Sequence, residues 1–352
     1  MSKDIFGVGS KEYKQLWDEL DNETRTISSA QKLLVEKAKV LHNKNVVPLK
    51  YELMSDDIKI YNKSCADMDD IKTGSINTVI TSPPYFKMRD YGLGKNQLGL
   101  ENNINDFLNN LVQIFDECKR VLKDDGNLFI NMGDSCQDGK YFAVPERLLI
   151  KMLDNGWILN DEIIWSKRSA VFTNFKRSVR SHEFIFHFVK NQNFFYNKEL
   201  LKHLDDPDNK MSFGYKAKEI NIKSFMDFRD NVLITNNANI EDLRIKCEAK
   251  GFNLTHHATY PIEVPLFCGL LTTNEGDSIL DPFNGTGTTA EFCKRFNRKY
   301  VGYELNPEYI MASEIRLNEI ELIVDDDYED DCYIIKNINS TIEKLVNLQQ
   351  AA

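Results

Sequence analysis

Residues 75–85, Ser-Ile-Asn-Thr-Val-Ile-Thr-Ser-Pro-Pro-Tyr, limit what this chain can fold into more than any other stretch. The β-branched run Thr78-Val79-Ile80 reads as a buried strand, and Pro83-Pro84 stops it abruptly. Neither proline has a backbone N–H, so the strand cannot continue and the peptide beyond it is stiff. The outcome is a rigid ledge at a strand's carboxyl end, offering the Ser82 hydroxyl, exposed carbonyls and the Tyr85 ring. Carboxyl ends of parallel strands are where open α/β sheets bind ligands. Alone, the ledge is a proline-terminated strand with a packing tyrosine; a second motif downstream changes its meaning.

That second motif is Ser278-Ile279-Leu280-Asp281-Pro282-Phe283-Asn284-Gly285-Thr286-Gly287-Thr288-Thr289-Ala290. A buried strand runs into a glycine turn and then a helix expected over 290–296. Such a turn lets a ligand come close to the backbone and points helix N–H groups at it. The next strand, Tyr300-Val301-Gly302-Tyr303, ends in Glu304, placed where an acid can bind ribose hydroxyls. Taken alone, G-T-G-T-T-A fits both nicotinamide enzymes and nucleoside-cofactor methyltransferases. Its late position leaves too little chain for a second mononucleotide-binding half, and Asp-Pro-Phe precedes it; both features turn the reading away from a dehydrogenase.

Between the motifs, helix and strand alternate, which predicts a largely parallel α/β sheet. Strands are expected at 58–61, 127–132, 158–165 and 183–189, and helices at 104–123, 144–156 and 307–323. Residues 62–67 read as a turn into a short helix, and 86–101 as a loop beside the ledge. Residues 11–45 predict helices ahead of the core. The weakly patterned stretch 198–255 reads as an inserted subdomain and not as a continuation of the sheet. The organisation expected is therefore a helical extension (1–50), a catalytic half (51–197), the insertion (198–255), a cofactor half (256–324) and an acidic linker with a tail (325–352).

The formal charge of −10 argues against a general coat of positive charge, yet field depends on distribution. Lys167, Arg168, Lys176, Arg177 and Arg180 crowd one segment with no acid among them and with Phe172 and Phe175 interleaved. That pattern predicts contact with a phosphate backbone. The seven cysteines include no C-x-x-C pair, which favours reduced thiols in a cytoplasmic protein. No apolar run is long enough to span a membrane, and the first ten residues lack signal-peptide order. His182-Glu183 and His187 lack the H-E-x-x-H spacing, and FIFHFV reads as a strand, so no metal site is expected.

TSPPY (81–85), HATYPIEVP (257–265), DPFNGTGTT (281–289) and YELNP (303–307) together resemble the amino-methylating DNA methyltransferases, in the group whose catalytic motif precedes the cofactor motif. The likeness covers roughly 57–320 apart from 198–255. It implies a Rossmann-like, mixed but mostly parallel sheet of the methyltransferase type, and S-adenosylmethionine as cofactor. It assigns Ser82, Pro83, Pro84 and Tyr85 to catalysis, and Asp281, Phe283, Gly285, Thr286, Gly287, Thr288, Glu304, Asn306 and Pro261 to cofactor binding. One departure stands out: the family commonly has Gly-Asp where this chain has Asn62-Lys63, leaving Asp67 as the nearest acid downstream.

The resemblance further implies double-stranded DNA as substrate, with a flipped target base stacked on Tyr85, and leaves room for a cognate restriction endonuclease and a homodimer. An exocyclic amine is a poor nucleophile because its lone pair is delocalised into the ring. Hydrogen bonds from the amine to Ser82 Oγ and the Pro83 carbonyl would free that pair for in-line attack on the sulfonium methyl. Serine at the first motif position resembles enzymes that methylate cytosine N4, with adenine N6 as the alternative; a nicotinamide oxidoreductase and a non-catalytic DNA-binding subunit rank below both. The basic segment and the 198–255 insertion are the expected readers of target sequence.

Overall fold

The computed structural model describes residues 50–91, 97–167, 178, 180–197, 212–217, 220–225, 231–254 and 259–322. Expectations for 1–49 and 323–352, and for Arg168, Lys176 and Arg177, lie outside these residues.

In chain order the strands are β1 (Leu53–Met54), β2 (Ile58–Tyr61), β3 (Ile76–Thr81), β4 (Leu122–Met132), β5 (Cys136–Gln137), β6 (Lys140–Tyr141), β7 (Ile158–Lys167), β8 (His182–Val189), β9 (Ser212–Ala217), β10 (Ile220–Phe225), β11 (Val232–Thr235), β12 (Ser278–Asp281) and β13 (Lys299–Tyr303). The helices are α1 (Ile104–Val121), α2 (Val144–Asp154), α3 (Glu241–Ala249), α4 (Glu263–Thr272), α5 (Thr288–Arg295) and α6 (Pro307–Leu322). Nine strands form one sheet in the order β1-β2-β13-β12-β3-β4-β8-β7-β11. From β2 to β4 every pairing is parallel; β8 runs against both β4 and β7, and β1 against β2. The sheet is thus mixed and mostly parallel, as the alternation requires.

Side chains leave a strand on alternate faces, so β3 and β4 feed two cores. Val79, Leu128 and Ile130 join the cluster containing α1 and α2, whereas Ile80 and Phe129 join the one containing α4 and α5. Helix α1 illustrates the logic. Phe107, Leu108, Leu111, Ile114, Phe115, Cys118 and Val121 recur on one face and are all buried, and Asn103 caps the start by accepting from Asp106 N. Helix α4 is different: Val264 to Thr272 are all buried, so it lacks the two-faced pattern that reveals a helix in sequence.

Three expectations change. Residues 62–74 form turns and no helix. Helix α1 ends at Val121 and passes straight into β4, so Asp124-Asp125-Gly126 lies within a strand carrying a register irregularity against β3. The stretch 198–255 is not wholly separate from the sheet. Hairpin β9–β10 is its own two-stranded unit, but β11 adds to the sheet parallel to β7. Leu243 and Cys247 of α3, with Phe252 and Leu254, then pack against Tyr309, Ala312 and Ile315 of α6. Among the described residues, no helix is long and apolar enough to cross a membrane.

Candidate active site

The direction of the strands decides where chemistry collects. The carboxyl ends of β2, β3, β4, β7, β11 and β13 and the amino end of antiparallel β8 all reach one edge of the sheet. They supply Lys63, Ser82, Gly133, Lys167, Asn237, Glu304 and Glu183 to the wall of a single cleft of about 920 Å³. The ledge and the glycine turn, about 200 residues apart in sequence, are neighbours because β3 pairs with β12.

At the ledge, Ser82, Pro83, Pro84 and Tyr85 all line the cleft. The Tyr85 hydroxyl donates to Glu183 Oε2 at 2.8 Å and lies 3.5 Å from Ser82 Oγ. Asn131 Nδ2 reaches Glu183 Oε2 at 2.8 Å, Tyr85 OH at 3.2 Å and Ser82 Oγ at 3.3 Å. Lys167 closes the group with an ion pair to Glu183 Oε1. Burial, followed by the Glu183 charge, holds the Tyr85 phenol well above its ordinary pKa, so it stays protonated and able to donate. Asn131 is 3% exposed, and its Oδ1 is buried without a hydrogen-bond partner among the described residues. A buried acceptor left in that state costs about 1–3 kcal/mol.

Gly133 makes this packing achievable. A Cβ there would lie 2.8 Å from Tyr85 Cε2 and 3.2 Å from Glu183 Cγ, so only glycine lets the Tyr85 ring and Glu183 close against β4.

The opposite wall is built on backbone. Phe283, Gly285, Thr286, Thr288 and Glu304 line it. Glu304 accepts from Gly285 N and Asn306 N, both at 2.9 Å, one on each carboxylate oxygen. A carboxylate has about four acceptor positions, so two are left to accept hydroxyl donors. Burial pushes Glu304 up to about 7. Asn62 Nδ2 donates to the Glu304 and Leu305 carbonyls at 2.9 Å, fixing the strand end where the family commonly places Gly-Asp. Gly287 has φ +79° and would drive a Cβ to 2.8 Å from Ser313, so the turn sits tightly on α6.

Four expected cofactor residues stand behind this wall and do not line it. Asp281 is 1% exposed and accepts from Thr81 Oγ1 (2.6 Å), Phe283 N (3.0 Å), Thr289 Oγ1 (3.1 Å) and Tyr260 OH (3.2 Å). It ties the ledge strand to the glycine turn, and burial pushes it up to about 6. Asn306 braces Glu304 and caps α6 through Glu308 N, Gly287 is the hinge of the turn, and the buried Pro261 precedes α4. Asp67 is exposed, accepts from Asp69 N and does not line the cleft.

Of the basic segment, Lys167 and Arg180 line the cleft. Both meet carboxylates: Lys167 meets Glu183, and Arg180 Nη1 lies 3.1 Å from the buried Asp134 while its guanidinium covers the Tyr141 ring at 4.6 Å. Sequence reasoning does not reach Asn131 and Glu183. Their only local signal is position, at the end of β4 and the start of β8, and the His182-Glu183 pair lacks the spacing of the one motif it suggests.

Comparison with known proteins adds the family. Residues 76–314 match the family model described as DNA methylase, of the N6/N4 type. The chain is 34% identical over 277 residues to the Type II methyltransferase M.Cfr9I of Citrobacter freundii, covering 70% of this chain and 83% of that protein. It is 32% identical over 270 residues to the Type II methyltransferase M.SmaI of Serratia marcescens, covering 68% and 83%. Among solved structures, the cytosine-N4-specific PvuII DNA methyltransferase superposes with a TM-score of 0.59 at 20% identity, covering 82% of this chain and 94% of its own. TTHA0409 of Thermus thermophilus, solved in complex with S-adenosyl-L-methionine, gives a TM-score of 0.51 at 22% identity, covering 74% and 94%. At these identities the superpositions establish a shared fold.

Proposed function

Because this chain belongs to the N6/N4 DNA methylase family, we propose that it methylates the exocyclic N4 amine of a cytosine within a defined DNA site, with S-adenosylmethionine as donor. The observation that carries the reading is Ser82 at the carboxyl end of β3, an uncharged oxygen on the same cleft as the Gly285 turn and Glu304. The PvuII enzyme that shares the fold is cytosine-N4-specific, which agrees with serine at this position.

S-adenosylmethionine supplies a methyl group made electrophilic by its sulfonium. The residues present fit it. Glu304 keeps two acceptor positions for ribose hydroxyls, the turn through Gly285 and Thr286 offers close backbone approach, and Thr288 opens a helix whose N–H groups favour a carboxylate. Phe283 supplies apolar contact beside them. Asp281, Gly287, Asn306 and Pro261 support that wall from behind.

On the ledge, Ser82 Oγ accepts from the target amine and draws its lone pair out of conjugation. The Pro83 carbonyl is the acceptor for its second N–H. A base inside a duplex cannot reach this depth, so it flips out, with Tyr85 beside its ring. Lys167 and Arg180, and with them Arg168, Lys176 and Arg177, are assigned to the DNA backbone; the two on the cleft exchange a carboxylate partner for phosphate as DNA enters. Target sequence is read from the 198–255 region. The curated relatives are Type II methyltransferases, and a cognate restriction endonuclease is the proposed companion.

The test is to methylate unmodified bacterial DNA with labelled S-adenosylmethionine, digest it to nucleosides and identify the product by mass spectrometry. N4-methylcytosine is expected. N6-methyladenine would keep fold and cofactor and overturn the base assignment.

A further inference from the structure

The ledge carries a hydrogen-bond chain whose direction is fixed from one end. Glu183, as a carboxylate, can only accept. The donors turned toward it are the Tyr85 hydroxyl at 2.8 Å, Asn131 Nδ2 at 2.8 Å and the Lys167 ammonium. Tyr85 has one proton and commits it to Glu183, so its oxygen faces Ser82 as an acceptor only. The Ser82 hydroxyl, 3.5 Å away, then has in Tyr85 an acceptor and not a donor facing it. Asn131 Nδ2, 3.3 Å from Ser82 Oγ, adds a second donor from behind and can accept nothing through that atom. With its proton turned to that acceptor, Ser82 has a lone pair left for the cleft.

We propose that Glu183 is a positioning residue that sets the polarity of this chain, acting through Tyr85 to hold Ser82 as an acceptor for the target amine. This rests on the amino-transfer reading and deepens it. A serine free to rotate would spend part of its time pointing a hydrogen at the amine hydrogens it has to receive. The β4–β8 register explains why the control sits at β8: with Met132 opposite Phe184, the next residues at the site edge are Gly133 and Glu183. The absent side chain of Gly133 gives Glu183 and the Tyr85 ring their space.

Replacing Glu183 by glutamine keeps the shape and loses the polarity. Its amide can donate to the Tyr85 oxygen, Tyr85 can then donate to Ser82, and the serine proton is turned toward the substrate. The E183Q protein is therefore expected to lose about tenfold or more in single-turnover methyl transfer at saturating DNA and cofactor. Its dissociation constant for S-adenosylmethionine and its thermal midpoint are expected to match wild type, which shows that the fold is intact.

The deciding measurement is a double-mutant cycle. In a Tyr85→Phe background the chain is already cut, so E183Q is expected to cost less than twofold more; the same holds in a Ser82→Ala background. A full E183Q penalty in either background would overturn the proposal, because Glu183 would then act by another route, such as Lys167. Wild-type protein that binds cofactor and DNA yet makes no methylated amine would overturn the amino-transfer reading beneath it, independently of the cycle.

Discussion

The two walls of the cleft hold their carboxylates in opposite ways. On the cofactor side, Asp281 is surrounded by three hydroxyls and a backbone N–H, and Glu304 by two backbone N–H groups. Glu304 fastens main chain to main chain, Asp281 ties the side chains of Thr81, Tyr260 and Thr289 to the turn, and a buried Arg298 binds the Thr273 and Phe296 carbonyls nearby. On the catalytic side, Glu183 is met by side chains alone: a phenol, an amide and an ammonium. One wall is a fixed mould for an invariant ligand. The other can be edited atom by atom without dismantling the sheet. The comparison teaches that damage to the first wall will be read as lost binding and lost stability, and damage to the second as lost turnover with binding kept.

The sharpest break of that symmetry is Ser82→Ala. It removes the oxygen proposed to accept from the amine and leaves the glycine turn untouched. Methyl transfer is expected to fall about a hundredfold, the scale of losing one preorganised polar contact at a reacting centre. Equilibrium binding of S-adenosylmethionine is expected to be unchanged. A comparable loss of cofactor affinity would mean the two walls are not separable.

A matched pair of glycine substitutions sharpens the contrast. Gly287→Ala forces a Cβ against Ser313 at a φ of +79°, so the turn must shift. We expect a stability loss of about 1–3 kcal/mol in denaturant melts, together with weakened cofactor binding. Gly133→Ala makes an equally close contact, but with the Tyr85 ring and Glu183. Here we expect turnover to drop about tenfold through misplacement of the ledge, with cofactor affinity within twofold of wild type. Exchange of these two phenotypes would refute the division of labour.

The same contrast explains what could be read from the chain alone. Pro83-Pro84 and the Gly285–Gly287 turn impose backbone geometry on their own neighbours, so they are visible in a window of ten residues. Asp281 was visible too, though as a ligand contact; its burial behind the turn depends on Tyr260 and Thr81, which arrive from other elements. Asn131 and Glu183 reach the ledge only through contacts that strand pairing creates, 46 and 98 residues from Tyr85. Nothing local marks them: Asn131 ends an apolar strand, and Glu183 stands beside a histidine without the spacing of a metal motif. Helix α4 escaped because burial on every side erased its periodicity, and β11 because its short V-L-I-T run lay inside a polar region. Regular α/β alternation was legible; which faces and ends meet was a consequence of register.

The smallest expected effect concerns pH, and only on the cofactor wall. Burial raises Glu304 from 4.5 to about 7, so in the free protein a sizeable fraction is protonated at neutral pH. For a carboxyl raised in this way, the associated stability is full below its unfolded pKa and is lost as pH rises through about 7. Ligand binding runs in the opposite sense. Hydroxyl donors favour the ionised carboxylate, so binding lowers the Glu304 pKa and expels a proton. Affinity for S-adenosylmethionine should therefore weaken as pH falls below about 7, with a limit of about tenfold per pH unit. Calorimetry in buffers of different ionisation enthalpy should register the proton released. Asp281, raised to about 6, titrates in a neighbouring window but lies behind the wall. Glu304→Gln separates the two: it should remove the dependence nearest pH 7 and lower affinity at pH 8, leaving any residual slope near pH 6 to Asp281. Should the slope near pH 7 survive in the glutamine protein, Glu304 is not the group that receives the ribose, and the cofactor wall owes its selectivity to the glycine turn alone.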